Sequence, residues 1–392
     1  MSRGSRKLCY VAPDVPVPHP SGASVHVSEL SASLGRIGYE VHVIARRNAP
    51  GDKGVEQVGG FTVHRVNRLI LRPGRAKGGL DSATAGTSLV SVLYGLYLRT
   101  VFAFYVALVA RRIITTEHLG GVVERETSFG SGAFASILTG TPLALEIVGP
   151  RYSRLSASRS SVILYYTDAM LRPWVDRRKC VRVSAGVDSD LFRPDPATRS
   201  RVRTAYSFGD SLVIGYVGTF QEWHGIDTLL SAARKLVDGG IDVRLLLVGP
   251  AGDSWKEAAH RLGVSSRCIF TGPVGYSDVP GLISACDIMV APYDPSKSRL
   301  RKEFGIGFPL KVLEYMACEK PVIASRVEPI TSLLEGGAGT LFEPGDAAGL
   351  AGQVAALAKD PDMASMMASK GRSLVEREYS WRTVAERIAG FM

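Results

Sequence analysis

The stretch Gly305-Ile-Gly-Phe-Pro-Leu-Lys-Val-Leu-Glu-Tyr-Met-Ala-Cys-Glu-Lys-Pro-Val-Ile-Ala324 decides how this chain is read. It runs as a glycine-containing loop, a proline at a helix start, a helix and then a strand. The first N–H groups of a helix lack intrahelical partners and sit at the positive end of its dipole, which suits an anion such as a diphosphate. Lys311 falls in the first turn, where the dipole disfavours a cation, so a bound anion would account for it. Glu314 follows about one turn later, and a carboxylate there can accept two hydrogen bonds from a vicinal diol such as a ribose. The same spacing is equally that of a solvated Lys–Glu surface pair, and both readings stand at this point.

Working outward, strands and helices alternate on both sides of this stretch. Upstream lie a strand at Leu212–Val217, a helix at Ile226–Val237, a strand at Val243–Val248, a helix near Trp255–Leu262 and a strand at Cys268–Phe270. A helix near Val279–Ala285 and a strand at Ile288–Ala291 then lead into the loop. Nearer the start, Leu8–Ala12, a helix opening at Ser21 and Glu40–Ala45 form a βαβ unit, with further strands at Val122–Val123 and Leu143–Val148. Such alternation predicts parallel sheets covered by helices on both faces. The segment from Ser184 to Arg203 reads as a connection, the stretch Pro150–Lys179 has no clear period, and a last helix spans Trp381–Phe391. The expectation is an α/β chain of two doubly wound domains facing across a cleft, 1–186 and 187–377, with 378–392 packing back on the first. Ligands of such sheets sit at the carboxyl ends of the strands.

The chain has 392 residues and a formal charge of +10. Residues 1–200 carry 26 Lys+Arg against 15 Asp+Glu, while residues 201–392 carry 21 against 22. A basic half beside a neutral half points to different partners, with nucleic acid, a membrane surface or an anionic substrate as the classes to separate. No recognition helix, aromatic–basic interleaving or zinc spacing supports nucleic acid. The five cysteines include no Cys-x-x-Cys pair, so neither a zinc site nor a disulfide framework is expected, and a reducing cytoplasm fits them. No signal peptide is expected, because Pro13, Asp14 and Pro16 interrupt the apolar run after the basic start. The most apolar stretch, Leu89–Ala110, is broken by Arg99. Its clean part falls short of the ~20 residues of a span. A helix buried against a sheet is expected there, with one face touching a membrane as the alternative.

A dinucleotide fingerprint is absent, since ten residues with four prolines follow the first strand where Gly-x-Gly-x-x-Gly would stand. Two Asp-x-Asp triplets, Asp188-Ser-Asp190 and Asp360-Pro-Asp362, have the spacing of a pair that holds a cation on a diphosphate. The composition makes such triplets a chance occurrence, and no metal ligand is assigned.

Taken together, these residues resemble the donor-site signature of the retaining, GT-B-fold nucleotide-sugar glycosyltransferases of family 4. Further segments match that family in order: Ser21–Leu30, Ala185–Pro194, Val217–Asp227, Phe270–Val274 and Cys286–Pro292. The resemblance implies two Rossmann-like domains and a metal-independent transfer from a nucleotide-diphosphate sugar, with no cofactor beyond that co-substrate. It implies that Glu314 binds the ribose hydroxyls and that Gly22 admits the backbone to the diphosphate. It also implies that Gly272 and Val274 hold the base through backbone groups, and that Gly307, Phe308, Pro309, Leu310 and Lys311 form the donor loop. Thr219 and His224 stand where many members place an Arg and a Lys, so His224 is expected to donate to phosphate, more strongly if protonated. Ile306 occupies the position of the first of the family's paired glutamates. The basic run Lys297, Arg299, Arg301, Lys302 is either a lid over the donor or a solvated loop. Glu124, where many members carry a histidine, Arg125 and Glu146 are expected to face the cleft and, with His224, to serve the acceptor and the chemistry.

The function expected is therefore glycosyl transfer with retention to a hydroxyl acceptor, anionic or presented at a membrane. The protein would work in the cytoplasm or peripherally at the inner face of the membrane. The alternatives are a non-catalytic sugar-nucleotide binder, motivated by Ile306, Thr219 and His224, and a nucleotide-sugar epimerase on the same fold.

Overall fold

Apolar, β-branched runs become the central strands, and glycine or proline marks most of the breaks between elements. The computed structural model describes residues 6–19, 21–67, 93, 95–126 and 129–392. The chain divides into two units, Met1–Gly186 with Trp381–Met392, and Val187–Ser380.

In the first unit, β1 (Lys7–Pro16) precedes α1 (Gly22–Arg36), which is capped by Ser21 accepting from the Ser24 N–H. There follow β2 (Glu40–Arg46), β3 (Val55–Val58), β4 (Phe61–Val66) and α2 (Ala103–Thr116). Then come β5 (Gly121–Arg125), α3 (Ser131–Thr139), β6 (Leu143–Ile147), α4 (Arg154–Arg159), β7 (Val162–Tyr165) and β8 (Cys180–Arg182). The sheet order is β3-β4-β2-β1-β5-β6-β7-β8, parallel except for the β3–β4 hairpin. That hairpin went unread in the sequence, and the stretch Pro150–Lys179 holds α4 and β7.

In the second unit, the expected connection contains α5 (Pro196–Ala205), started by Pro196 and capped by Asp195. Then follow β9 (Leu212–Val217), α6 (Ile226–Asp238), β10 (Val243–Val248), α7 (Asp253–Arg261), β11 (Cys268–Gly272) and α8 (Val279–Ala285). After β12 (Ile288–Ala291) come α9 (Arg299–Phe304), α10 (Leu310–Ala317), β13 (Val322–Ser325), α11 (Ile330–Leu334) and β14 (Thr340–Phe342). Helices α12 (Ala347–Lys359) and α13 (Pro361–Leu374) close the unit. The parallel order β11-β10-β9-β12-β13-β14 is that of a dinucleotide-type sheet, with its topological switch between β9 and β12.

The chain then returns to the first unit as α14 (Trp381–Ala389), which packs on α1. Trp381, Val384, Ala385 and Ile388 are buried there.

Candidate functional site

The switch point of the second unit gathers the donor-loop residues. β9 ends at Val217, whose N–H donates to the Tyr315 hydroxyl at 2.8 Å. α10 begins at Leu310 with no side-chain cap, after Gly305 and Gly307 with φ near +75°. This loop-and-helix reading matches the expected one, while the surface-pair alternative does not hold. Glu314 is buried, Lys311 is half-buried, and no ion pair joins them among the described residues.

Instead the Lys311 ammonium donates to the Tyr216 hydroxyl at 2.9 Å and lies 4.2 Å from the centroid of that ring and 5.2 Å from that of Tyr293. Burial pushes Lys311 down to about 7, against the nearby Glu314 carboxyl, which raises it. Burial pushes Glu314 up to about 7, opposed by the Tyr276 hydroxyl, which donates to its Oε1 at 3.0 Å, and by Lys311. Two groups of opposite charge type are thus held near neutrality, a state common where ligands must be met. The tyrosine cradle was not foreseen from sequence. Its one local sign was Tyr315, beside Glu314.

His224 departs from expectation. It is buried, and burial followed by the fields of Lys311 and Arg301 pushes it down to about 2. Its Nδ1–H donates to the Thr219 carbonyl at 2.5 Å, an acceptor that also receives the Tyr216 hydroxyl at 2.5 Å. A neutral imidazole with Nδ1 protonated leaves Nε2 as an acceptor, so His224 is neither a cation nor a phosphate donor. Burial, which sequence spacing cannot report, is the reason. The following Gly225 has φ 68°, and a Cβ there would meet the Pro292 carbonyl oxygen at 1.7 Å, so only glycine fits this turn.

The basic run is tied down in part. Lys297 pairs with Asp227 and Asp294, and the Arg301 guanidinium lies 4.5 Å from the Trp223 ring centroid, while Arg299 and Lys302 are exposed. Gly272 has φ 73° with open space beside it, and Val274 and Phe308 are half-buried against the unit's core. Ile306 is buried in that same core, so an apolar contact stands where the resemblance places a glutamate. In both Asp-x-Asp triplets the first Asp is used by the local backbone, in a turn and at a helix start. Asp188 accepts from the N–H groups of Asp190 and Leu191, and Asp360 from that of Met363.

In the first unit Gly22 is exposed at the start of α1. Glu124 and Glu146, expected to face the cleft, both lie inside their strands. β5 runs through Arg125 and β6 through Ile147, so both carboxylates are buried within the sheet. Glu124 accepts from the Ala133 N–H at 3.0 Å and the Ser156 hydroxyl at 2.9 Å. Glu146 accepts from Tyr10, from Tyr166 at 2.6 Å and from His26 at 2.6 Å. Arg125, at the end of β5 beside the β1–β5 switch, is half-buried. Its Nε is buried and has no hydrogen-bond partner among the described residues. A group of Glu40, His42 and Glu117 lies at the opposite, amino ends of β1 and β2, where Lys7 already pairs with Glu40 at 2.7 Å.

Comparison with known proteins gives the same picture. Residues 211–360 match the family model for glycosyl transferases group 1. A GDP-mannose-dependent alpha-(1-6)-phosphatidylinositol monomannoside mannosyltransferase of Mycolicibacterium smegmatis is 32% identical over 52% of this chain and 53% of its own. The chain thus spans about half the length of the mannosyltransferases it matches. A D-inositol 3-phosphate glycosyltransferase of Mycobacterium avium is 26% identical over 92% of this chain and 86% of its own. Among solved structures, Anabaena Alr3699/HepE, crystallised with UDP and glucose, superposes with a TM-score of 0.73 at 19% identity, covering 98% of each chain. The two sheets, each in Rossmann-like order, are those of the GT-B fold, and residues 211–360 of the second unit are similar to the glycosyl transferases group 1.

Proposed function

We propose that this chain is a retaining glycosyltransferase that moves a sugar from a nucleoside-diphosphate sugar to a hydroxyl of a phosphate-bearing acceptor. The observation that carries the reading is the Lys311–Glu314 pair on α10, set at the β9–β12 switch with both groups near neutrality. Ribose hydroxyls donating to Glu314 would favour its ionised form, and a diphosphate at the start of α10 would favour the charged form of Lys311. The donor thereby sets the protonation state it needs. As the anomeric bond to the diphosphate breaks, the leaving charge is met by Lys311 and the helix N–H groups. The acceptor oxygen bonds the same carbon on the face the diphosphate leaves, and its proton passes to a phosphate oxygen. The buried, neutral His224 offers Nε2 to a donor hydroxyl rather than a charge to phosphate.

An anionic acceptor is supported by the charge distribution: the first unit holds 26 Lys+Arg against 13 Asp+Glu, the second 21 against 24. Arg125, with its unpartnered Nε, is the first contact to test. The relatives named above act on an inositol phosphate and a phosphatidylinositol mannoside, which fits such an acceptor. The test is melting with GDP and UDP, then transfer from GDP-mannose and UDP-glucose to inositol phosphate and to inositol. Glu314→Ala is expected to lose the nucleotide shift and transfer together, and Arg125→Ala to lose preference for the phosphorylated acceptor. Donor binding without turnover on any acceptor or water would favour the non-catalytic binder instead.

A further inference from the structure

The helix α2, together with the turn Leu98–Phe102 that runs into it, is apolar on both of its sides. One side, with Phe102, Ala103, Val106, Ala107 and Ala110, is buried against the sheet. The other leaves Val101 63%, Phe104 50%, Tyr105 43% and Leu108 42% exposed, at the 3- and 4-residue spacing of one continuous stripe. A soluble surface helix carries polar groups there instead. The stripe ends in Arg111 and Arg112, both exposed. Beside it packs α3, whose last turn exposes Ile137 and Leu138, and next to that α4 exposes Arg154 and Arg159.

The charge of this surface has one sign. Between Asp81 and Asp168 the chain carries four carboxylates, Glu117, Glu124, Glu126 and Glu146. None is exposed: Glu124 and Glu146 are buried in the sheet, and Glu117 and Glu126 are half-buried. Glu126 accepts the N–H groups of Val148 and Arg151 at 3.0 and 2.7 Å. Large apolar side chains flanked by arginines, with no acid in α2, α3 or α4, match the two layers of an anionic bilayer surface, acyl chains below and negative headgroups above. A second copy of the chain fits poorly, because a two-fold contact would oppose the arginines to one another with no acid in α2, α3 or α4 to pair them.

We propose that the α2–α3–α4 face of the first unit docks on an anionic lipid bilayer. No helix among the described residues is long and apolar enough to cross one, so the contact is peripheral. Docking gives the acceptor reading above its setting; it rests on that reading for its purpose, not for its occurrence.

The full chain is sedimented with vesicles of phosphatidylcholine, with and without phosphatidylglycerol. It is expected to pellet with the mixed vesicles, to be released by salt, and to stay in solution with pure phosphatidylcholine. Arg111→Ala/Arg112→Ala should weaken partition by about fivefold per arginine. Phe104→Ser/Leu108→Ser should weaken it by about tenfold or more, since the inserted apolar area is lost. Both variants change exposed residues, and each should keep the melting point and nucleotide response of the wild type. Absence of wild-type pelleting, or variants that pellet equally, would overturn the proposal. So would a concentration-dependent dimer abolished by the same variants, which assigns the face to self-association. Vesicle binding by a protein without any nucleotide response would uphold docking and count against the transferase reading alone.

Discussion

A carboxyl group that must ionise to do its work is costly to keep in a dry site. Glu314 is such a group, with its value raised to about 7 by burial. The folded state holds the proton longer than the unfolded state. Stability therefore falls as pH rises from the ordinary carboxyl range to about 7, and the full penalty applies above it. Glu314→Gln keeps the Tyr276 hydrogen bond and removes the charge. The nucleotide-free variant is expected to melt several degrees above wild type at pH 8, on a gain of ~1–3 kcal/mol. At pH 5 the two should melt alike, and at either pH nucleotide should no longer shift the variant. Scanning calorimetry at both values checks this, and a variant that melts lower at pH 8 refutes it. Lys311 and Glu314 were legible in the sequence because their relation is local, one turn of one helix. The cradle of Tyr216 and Tyr293 was not, because only the pairing of β9 with β12 brings those residues together. The charge state of His224 was not, because burial decides it.

At the scale of elements, a two-residue error in a strand end changes a side chain's role. Glu124 was read past the strand Val122–Val123, and Glu146, inside the strand Leu143–Val148, was read as facing the cleft. Each belongs inside, where one holds the start of α3 against α4 and the other ties β6 to β1, α1 and the segment after β7. Burial raises the Glu146 carboxyl, but His26, Arg125 and Tyr10 outweigh it and hold the group down to about 2. Its contribution is therefore present above the ordinary carboxyl range and is lost as pH falls from there toward 2. Glu146→Gln puts an amide among three donors and is expected to cost about 3–5 kcal/mol, the range for breaking a buried charged network. Urea unfolding at neutral pH measures it, and a cost under ~1 kcal/mol would mean the network is dispensable. The alternation of strand and helix, and hence both sheets, could be read from apolar runs. The β3–β4 hairpin and α4 could not, being short and half-exposed, with no sustained apolar period to mark them.

Over the whole molecule, the uneven charge seen in the sequence sharpens once the units are drawn by their contacts. The return of α14 to the first unit shapes stability as well. Trp381, Val384 and Ile388 are each almost fully buried, and the Trp381 ring meets His26 edge-on at 5.2 Å. At ~1.5–3 kcal/mol for each buried large side chain, ending the chain at Ser380 should cost the first unit about 5 kcal/mol or more. Its urea transition should move well below that of the second unit, and an unmoved transition would show α14 to be an ornament.

The same helix sets an order of assembly. All eight strands of the first sheet leave the ribosome before Val187, yet the helix that covers α1 is made only after the intervening 194 residues of the second unit. At ~5–20 residues per second the delay is roughly 10–40 s. For that interval the first domain to be made has all its strands and a bare apolar helix, while the second can fold and finish. The domain begun first is completed last, and chaperones or a nearby membrane have those seconds in which to hold it.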